Sequence, residues 1–239
     1  MMDKLCGEKI KSQMESEISV IVPTYNEELC IAEFLSALQQ HFFSEVIVVD
    51  GGSKDRTCEI AQKYTNTVYV SPQKGRAAQM NLGAARAKHE ILLFLHADTY
   101  LPHNAKSEIL SGIQQKKCGR FRDSFSSSNR LLRFYAFFTR FQYFSYGDQA
   151  FFVHKKYFQL LQGFDDKQPF EDIDFYKRLR KIVKPYISAS SVITSSRRFT
   201  KVGIVKQAMI DLLFIIMVEC RFSATWIHKI KSHLYRDIR

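Results

Sequence analysis

The chain has no apolar run approaching the roughly 18 residues that a helix needs to cross a bilayer, so no spanning segment is expected. Cysteine is sparse. Cys6, Cys30, Cys58, Cys118 and Cys220 are odd in number and spaced too widely for a zinc motif. A chain of this size needs no disulfide staples, so a reducing compartment is expected. The opening stretch, MMDKLCGEKIKSQMESE, lacks the apolar core of a secretion signal. Acid is also short: 24 Asp and Glu face 35 Lys and Arg, a net charge of +11. That excess suits phosphates, nucleic acid or an anionic membrane face, without choosing among them. Internal repeats and low-complexity linkers are missing. An apolar fraction of 46% excludes a disordered chain, and 239 residues suffice for one domain with a small extension.

The rest is organised around residues 91–102, ILLFLHADTYLP. Five apolar residues in a row predict a strand covered on both faces. His96, Asp98 and Thr99 then arrive where the strand should end. Open α/β sheets keep their ligands at that edge. A strand followed by an ordinary polar turn would read the same way.

Before it, residues 18–22 predict a first strand, stopped by Pro23, with an Asn26-capped helix to follow. Ile31, Phe34, Leu35 and Leu38 recur at helical spacing. EVIVVD, 45–50, predicts a second strand ending in Asp50, with Gly51, Gly52 and Ser53 as a tight turn. A helix over about 55–64, a short strand at 68–70 and a helix over 76–87 come next. Strand and helix alternate three times, which predicts a doubly wound α/β sheet with right-handed crossovers. After a helix at 104–116 the style changes. Phe121 and Phe125 flank a short polar segment. Residues 131–144 are crowded with Phe and Tyr, predicting a helix that is buried or lies against something apolar. A strand at 150–153, a small helix ending at Gly163, a helix from Glu171 to Lys184 and an edge strand at 186–194 follow. The last fifty residues are basic, then apolar over 204–218, then basic again. The expected organisation is a flexible 1–17, a catalytic domain over 18–200 and a helical extension over 201–239.

Asp50 and Asp98 both end strands, so a parallel sheet brings them to one edge. Such acids can serve a nucleoside and a metal-bound diphosphate, because Mg²⁺ and Mn²⁺ take carboxylate oxygens together with substrate phosphates. They can equally be helix caps. Arg76 follows Gly75 at a helix start, where positive charge and free amides suit a phosphate. Glu171 and Asp172 open a helix, either for its dipole or as a general base. Arg197 and Arg198 form a solvated basic face or stabilise a leaving diphosphate.

Four stretches in order carry a resemblance: Val22-Pro23-Thr24-Tyr25-Asn26-Glu27, Val48 through Asp55 (VVDGGSKD), Leu95-His96-Ala97-Asp98-Thr99, and Glu171-Asp172. Together they resemble an inverting family 2 glycosyltransferase of the GT-A fold. A narrower resemblance is to the bacterial "transferase 2" subgroup associated with radical-SAM and selenium-related domains. It rests on Gly75 to Asn81 (GRAAQMN), Tyr146 to Ala150 (YGDQA) and Ser196 to Phe199 (SRRF).

The resemblance implies a nucleotide-diphosphate sugar as donor, most simply UDP-linked, and a hydroxyl acceptor that a lipid could carry. Pro23, Tyr25, Glu27, Gly75, Arg76 and Asn81 would line the donor cleft, and Asp50 would hold the nucleoside. Asp98 would be the metal-directed acid, with Mn²⁺ or Mg²⁺ as cofactor. His96 replaces the first acid of the commoner motif, and imidazole suits Mn²⁺ better than Mg²⁺. Asp172 would be the base, with Glu171 its neighbour. Gly147, Asp148 and Gln149 would face the acceptor, and Arg197 and Arg198 the diphosphate. The Gln-x-x-Arg-Trp motif of processive members is missing, which weighs against a polysaccharide synthase. The basic, apolar C-terminal half predicts peripheral contact with an anionic membrane, on the cytoplasmic face, or a homodimer seam.

Two other classes share these features. A nucleotidyltransferase would need a Gly-rich loop after the first strand, where Pro23-Thr24-Tyr25-Asn26 stands instead. A non-catalytic nucleotide-sugar or nucleic-acid binding protein would use the positive charge, but strand-end acids repel a polyanion, so no nucleic-acid partner is expected.

Overall fold

The computed structural model describes residues 17–127, 129–138, 149–220 and 222–234. Strands β1 (Ile18–Thr24), β2 (Glu45–Asp50), β3 (Val68–Val70) and β4 (Ile91–Phe94) are mutually parallel, in the order β3-β2-β1-β4. The sheet then turns mixed. It continues through β7 (Phe151–His154), β6 (Cys118–Phe125), β8 (Tyr186–Thr194) and β5 (Thr99–Tyr100). The β4–β7, β7–β6 and β8–β5 pairs are antiparallel, and β6–β8 is parallel.

The helices are α1 (Ile31–Gln39), α2 (Thr57–Ala61), α3 (Arg76–Arg86), α4 (Ala105–Lys116), α5 (Arg130–Phe138), α6 (Lys155–Leu160), α7 (Glu171–Arg180), α8 (Arg197–Val202), α9 (Ile204–Glu219) and α10 (Ala224–Leu234). Side chains alternate across the sheet, as strand geometry requires. Val20, Val22, Val48 and Leu93 pack with Phe34, Leu35, Ile109 and Ile113 on one face. Ile21, Ile47, Val49 and Leu92 pack with Met80, Ala84, Phe158 and Leu179 on the other. The unbroken apolar runs of β1, β2 and β4 are thus explained by cover on both faces. Helix α3 sits very close to the sheet. A Cβ at Gly83 would lie 2.5 Å from the Ile21 side chain, so only glycine allows this approach.

Three expectations change. The polar segment near 121–125 is strand β6, which extends back to Cys118. Its Arg120 is fully buried, with its guanidinium carbon 5.8 Å from the Tyr176 ring centre. Strand β8 is not at the edge, since it lies between β6 and the two-residue β5. The helix expected over 55–64 is only the short α2.

The segment after residue 200 packs onto the rest of the molecule. The Phe170 ring meets Phe214 at a tilt, with ring centres 5.0 Å apart. Lys177 pairs with Glu219 at 2.8 Å, and Lys231 donates to the Pro169 carbonyl at 2.6 Å. Among the described residues no helix is long and apolar enough to cross a membrane.

Candidate active site

The carboxyl ends of β1 and β2 are zipped together by their loops. Asp50, the last residue of β2, is 1% exposed. Its Oδ2 accepts from the Gly52 and Ser53 amides at 2.8 and 2.7 Å. Its Oδ1 accepts from the Ser53 and Thr24 hydroxyls at 2.5 and 3.3 Å. The turn needs Gly52, whose φ is 89°. Asn26 closes the seam: its amide donates to Ser53 Oγ at 2.8 Å, and its Oδ1 accepts from Lys54 at 2.9 Å. Gln79 of α3 reaches the same place. Its Nε2 donates to the Thr24 and Val49 carbonyls, both at 2.7 Å. Asp50 therefore holds its own loop together.

A second cluster joins β1 to the end of β4 through α8. Arg197 Nη2 lies 3.8 Å from Glu27 Oε2 and 3.7 Å from Asp98 Oδ2. Its Nε donates to Ser195 Oγ at 3.2 Å. Cys30 donates its thiol proton to Glu27 Oε2 at 3.0 Å. Burial, and then the Glu27 charge, push that thiol up to about 12. Burial also raises the Tyr100 phenol, helped by nearby acids that include Asp98. Tyr25 is 51% exposed on the rim, while Pro23 is buried within β1 beside Val49 and lines no open surface. His96 is half-buried next to this cluster in sequence.

The third cluster lies at the start of α7. Gly75, with φ 117°, lets the chain enter α3 at Arg76. Arg76 Nε donates to Glu171 Oε1 at 2.7 Å. Glu171 is 6% exposed. Burial alone would raise its carboxyl, but the Arg76 charge and hydrogen bond, with Lys231 beyond, hold it below the usual range. Asp172, half-buried, accepts from the Ile173 amide at 2.9 Å. Successive helical side chains diverge by about 100°, so Asp172 does not share the direction of Glu171.

Two predicted site residues are placed elsewhere. Asn81 spends its amide on Phe164, donating to the carbonyl at 2.8 Å and accepting from the N–H at 2.9 Å. It braces the loop before α7. Gln149 is fully buried and donates to Asp123 at 3.0 Å. Gly147 and Asp148 lie outside the described residues, as does the Arg198 side chain. The sequence reading missed Gln79, Cys30 and Lys231. An amide in a helix otherwise rich in Ala and Gly was the available signal for Gln79. Lys231, 60 residues from Glu171, had none.

A divalent ion would find Asp98 and His96 here, but Arg197 already stands at Asp98. Among the described residues no group of three His, Cys, Asp or Glu is arranged to hold a metal. The residues do not make a protein-held metal site on their own.

Similarity to known proteins agrees with this fold. The poly(ribitol-phosphate) β-N-acetylglucosaminyltransferase TarS of Staphylococcus aureus is 36% identical over 95 residues, 36% of this chain and 17% of TarS. The probable glycosyltransferase YdaM of Bacillus subtilis is 25% identical over 194 residues, covering 68% of this chain and 46% of YdaM. The chain spans less than half the length of these curated relatives. Among solved structures, S. aureus TarS 1–349 superposes with a TM-score of 0.63 at 21% identity, over 77% of this chain and 62% of that one. A Pyrobaculum calidifontis mannosyltransferase, solved with GDP-Man and Mn²⁺, superposes at 0.62 and 21% identity, over 75% of this chain and 56% of its own. The fold is therefore GT-A-like. The model of "Glycosyl transferase family 2" matches residues 19–185, and the chain belongs to that family.

Proposed function

We propose that this chain transfers a sugar from a nucleotide-diphosphate sugar to a hydroxyl acceptor by a single, inverting displacement. The observation that carries the assignment of roles is the Arg76–Glu171 ion pair. It commits Glu171 to a guanidinium, in keeping with the family resemblance, which gives the proton-accepting role to Asp172. Asp172 takes the proton of the acceptor hydroxyl. The acceptor oxygen forms its bond to the anomeric carbon as the bond to the diphosphate oxygen breaks. The electron pair leaves with the nucleoside diphosphate, toward the positive charge of Arg197. A divalent ion carried in with the donor would neutralise the same charge. For that, Arg197 has to move off Asp98.

TarS has been solved with UDP-GlcNAc, which supports a UDP-linked donor here. The names of two relatives, TarS and human dolichyl-phosphate β-glucosyltransferase (33% identical over 100 residues, 31% of its length), support a polymer or lipid-linked acceptor. The narrower radical-SAM and selenium-associated subgroup rests on three short motifs alone, and the relatives found include TarS and other glycosyltransferases. Membership in a glycosyltransferase family weighs against the nucleotidyltransferase and nucleic-acid readings. Peripheral placement on the cytoplasmic membrane face is part of the same proposal.

Steady-state kinetics beside donor titrations test the roles. Asp172→Asn should keep donor affinity within about threefold and cut turnover at least a hundredfold, about 2.7 kcal/mol of transition-state stabilisation. Glu171→Gln should lose mainly thermal stability. An active Asp172→Asn beside a folded but inactive Glu171→Gln would reverse the two roles.

A further inference from the structure

Helix α9 is apolar on two opposite sides. Ile210, Phe214 and Met217 are buried, and they pack with Ile227 of α10 and with Phe170. Val205, Met209, Leu212, Leu213 and Ile216 recur at helical spacing on the other side and are all exposed. A helix that is apolar all round is normally covered all round. The exposure continues past the helix end, at Phe222 and Trp226. Helix α5, which joins α9 through the Tyr135 hydroxyl on Asp211 at 3.0 Å, exposes Leu131, Phe134 and Phe137. Apolar surface on this scale marks a contact site.

The charges around it select the partner. Residues 197–239 contain nine Lys and Arg against three Asp and Glu. Two of those acids are already used: Asp211 is buried on Tyr135 and Gln207, and Glu219 is paired with Lys177. Lys201, Lys206 and Lys229 are exposed, and Lys229 Nζ lies 5.9 Å from the Trp226 ring centre. An apolar stripe with an interfacial Trp and a rim of Lys is the chemistry that lies in a lipid headgroup layer. Excess positive charge makes that layer an anionic one. A second copy of this chain would set basic rim against basic rim.

We propose that the outer face of α9, with the α9–α10 turn, docks this protein on an anionic lipid surface. Donor chemistry plays no part in this inference.

Trp226 is the only tryptophan in the chain, so the unmodified protein reports on its own docking. The full chain is mixed with vesicles of phosphatidylcholine containing phosphatidylglycerol, and parallel vesicles carry brominated acyl chains. The expected result is flotation with the anionic vesicles, a blue-shifted Trp226 emission and quenching by the brominated lipid. Raising salt from about 0.05 to 0.5 M should lower binding at least about fivefold. Leu212→Glu with Ile216→Glu should lower it at least about tenfold, with UDP-sugar affinity unchanged. Should that double variant fold poorly, Lys201→Glu with Lys229→Glu keeps the apolar stripe and should still lose most of the anionic-lipid preference. Protein that stays at the bottom of the gradient at low salt overturns the proposal. So does binding that is equal in wild type and both variants. Sedimentation showing a dimer that Leu212→Glu/Ile216→Glu splits, without vesicle binding by the wild type, would give the face to a second copy instead.

Discussion

Arg76 Nε stands 2.7 Å from Glu171 Oε1, tying the helix after the β3 loop to the helix that carries the acid pair. The Glu171 carboxyl is buried, whereas the Arg76 side chain is 41% exposed, so water moderates the pair from one side. Arg76→Ala should therefore cost about 1–3 kcal/mol, chiefly from leaving a buried carboxylate without its donor. The pH dependence follows from the direction of the shift. Glu171 titrates below its ordinary value of 4.5 in the folded chain. The pair's contribution is thus full above that pH and is lost as pH falls through the folded pKa. Melting of wild type and Arg76→Ala at pH 7 and pH 3.5 should show the gap narrowing in acid. An equal gap at both values would mean that the mutation removes packing and not charge.

The parts legible in the sequence are those that local pattern controls. Strands β1, β2 and β4 announce themselves because both faces are covered, so every residue is apolar. The strand-end acids follow from the same runs. Strand β6 was hidden because Arg122, Asp123 and Ser124 read only as a short polar segment. Its register depends on Arg120 being buried beside Tyr176, which lies 56 residues away. The partners of Asn81 and Gln149 were hidden for a related reason. A motif names an amide but not its partner. Asn81 meets a backbone 83 residues on, and Gln149 meets Asp123 across the sheet. The α10 contact at Pro169 is of the same kind, since nothing near Lys231 in sequence points to it.

Asp50 holds the turn after β2, which the proposed function sets beside the donor. Two backbone N–H groups and two hydroxyls converge on its carboxylate. Asp50→Ala should cost about 2–3 kcal/mol of stability, because those buried donors lose a charged acceptor. It should also weaken UDP-sugar binding at least about tenfold, near 1.4 kcal/mol, through the disordered Gly51–Ser53 turn. Gln79→Ala is the comparison. It strips the Thr24 and Val49 carbonyls of their shared donor without touching the turn's amides. It should match the stability loss with a smaller loss of affinity. Calorimetric titration of folded Asp50→Ala with unchanged affinity would confine Asp50 to the scaffold.

Under the proposed function, Arg197 and a divalent ion would compete for one carboxylate. With its guanidinium within 4 Å of both Asp98 and Glu27, Arg197 holds the position that a metal on Asp98 would take. The pair is partly exposed, so the contact is weak enough to exchange. Asp98 and His96 would be the residues to hold Mn²⁺, and two ligands alone would leave it dependent on the donor's phosphates. The expected outcome is that Mn²⁺ binds poorly to the protein alone and tightens UDP-sugar binding when both are present. Asp98→Asn should remove most of that gain. Arg197→Ala should act in two opposite ways: Mn²⁺ affinity rises, because Asp98 and Glu27 lose their resident cation, while metal-free turnover falls at least about tenfold, because the departing diphosphate loses its own. Titration calorimetry with and without Mn²⁺ on the three proteins checks all of this, beside turnover after EDTA treatment. If EDTA-treated wild type binds donor and turns over at its full rate with no metal retained, Arg197 is the working cation and Asp98 serves to hold it in place.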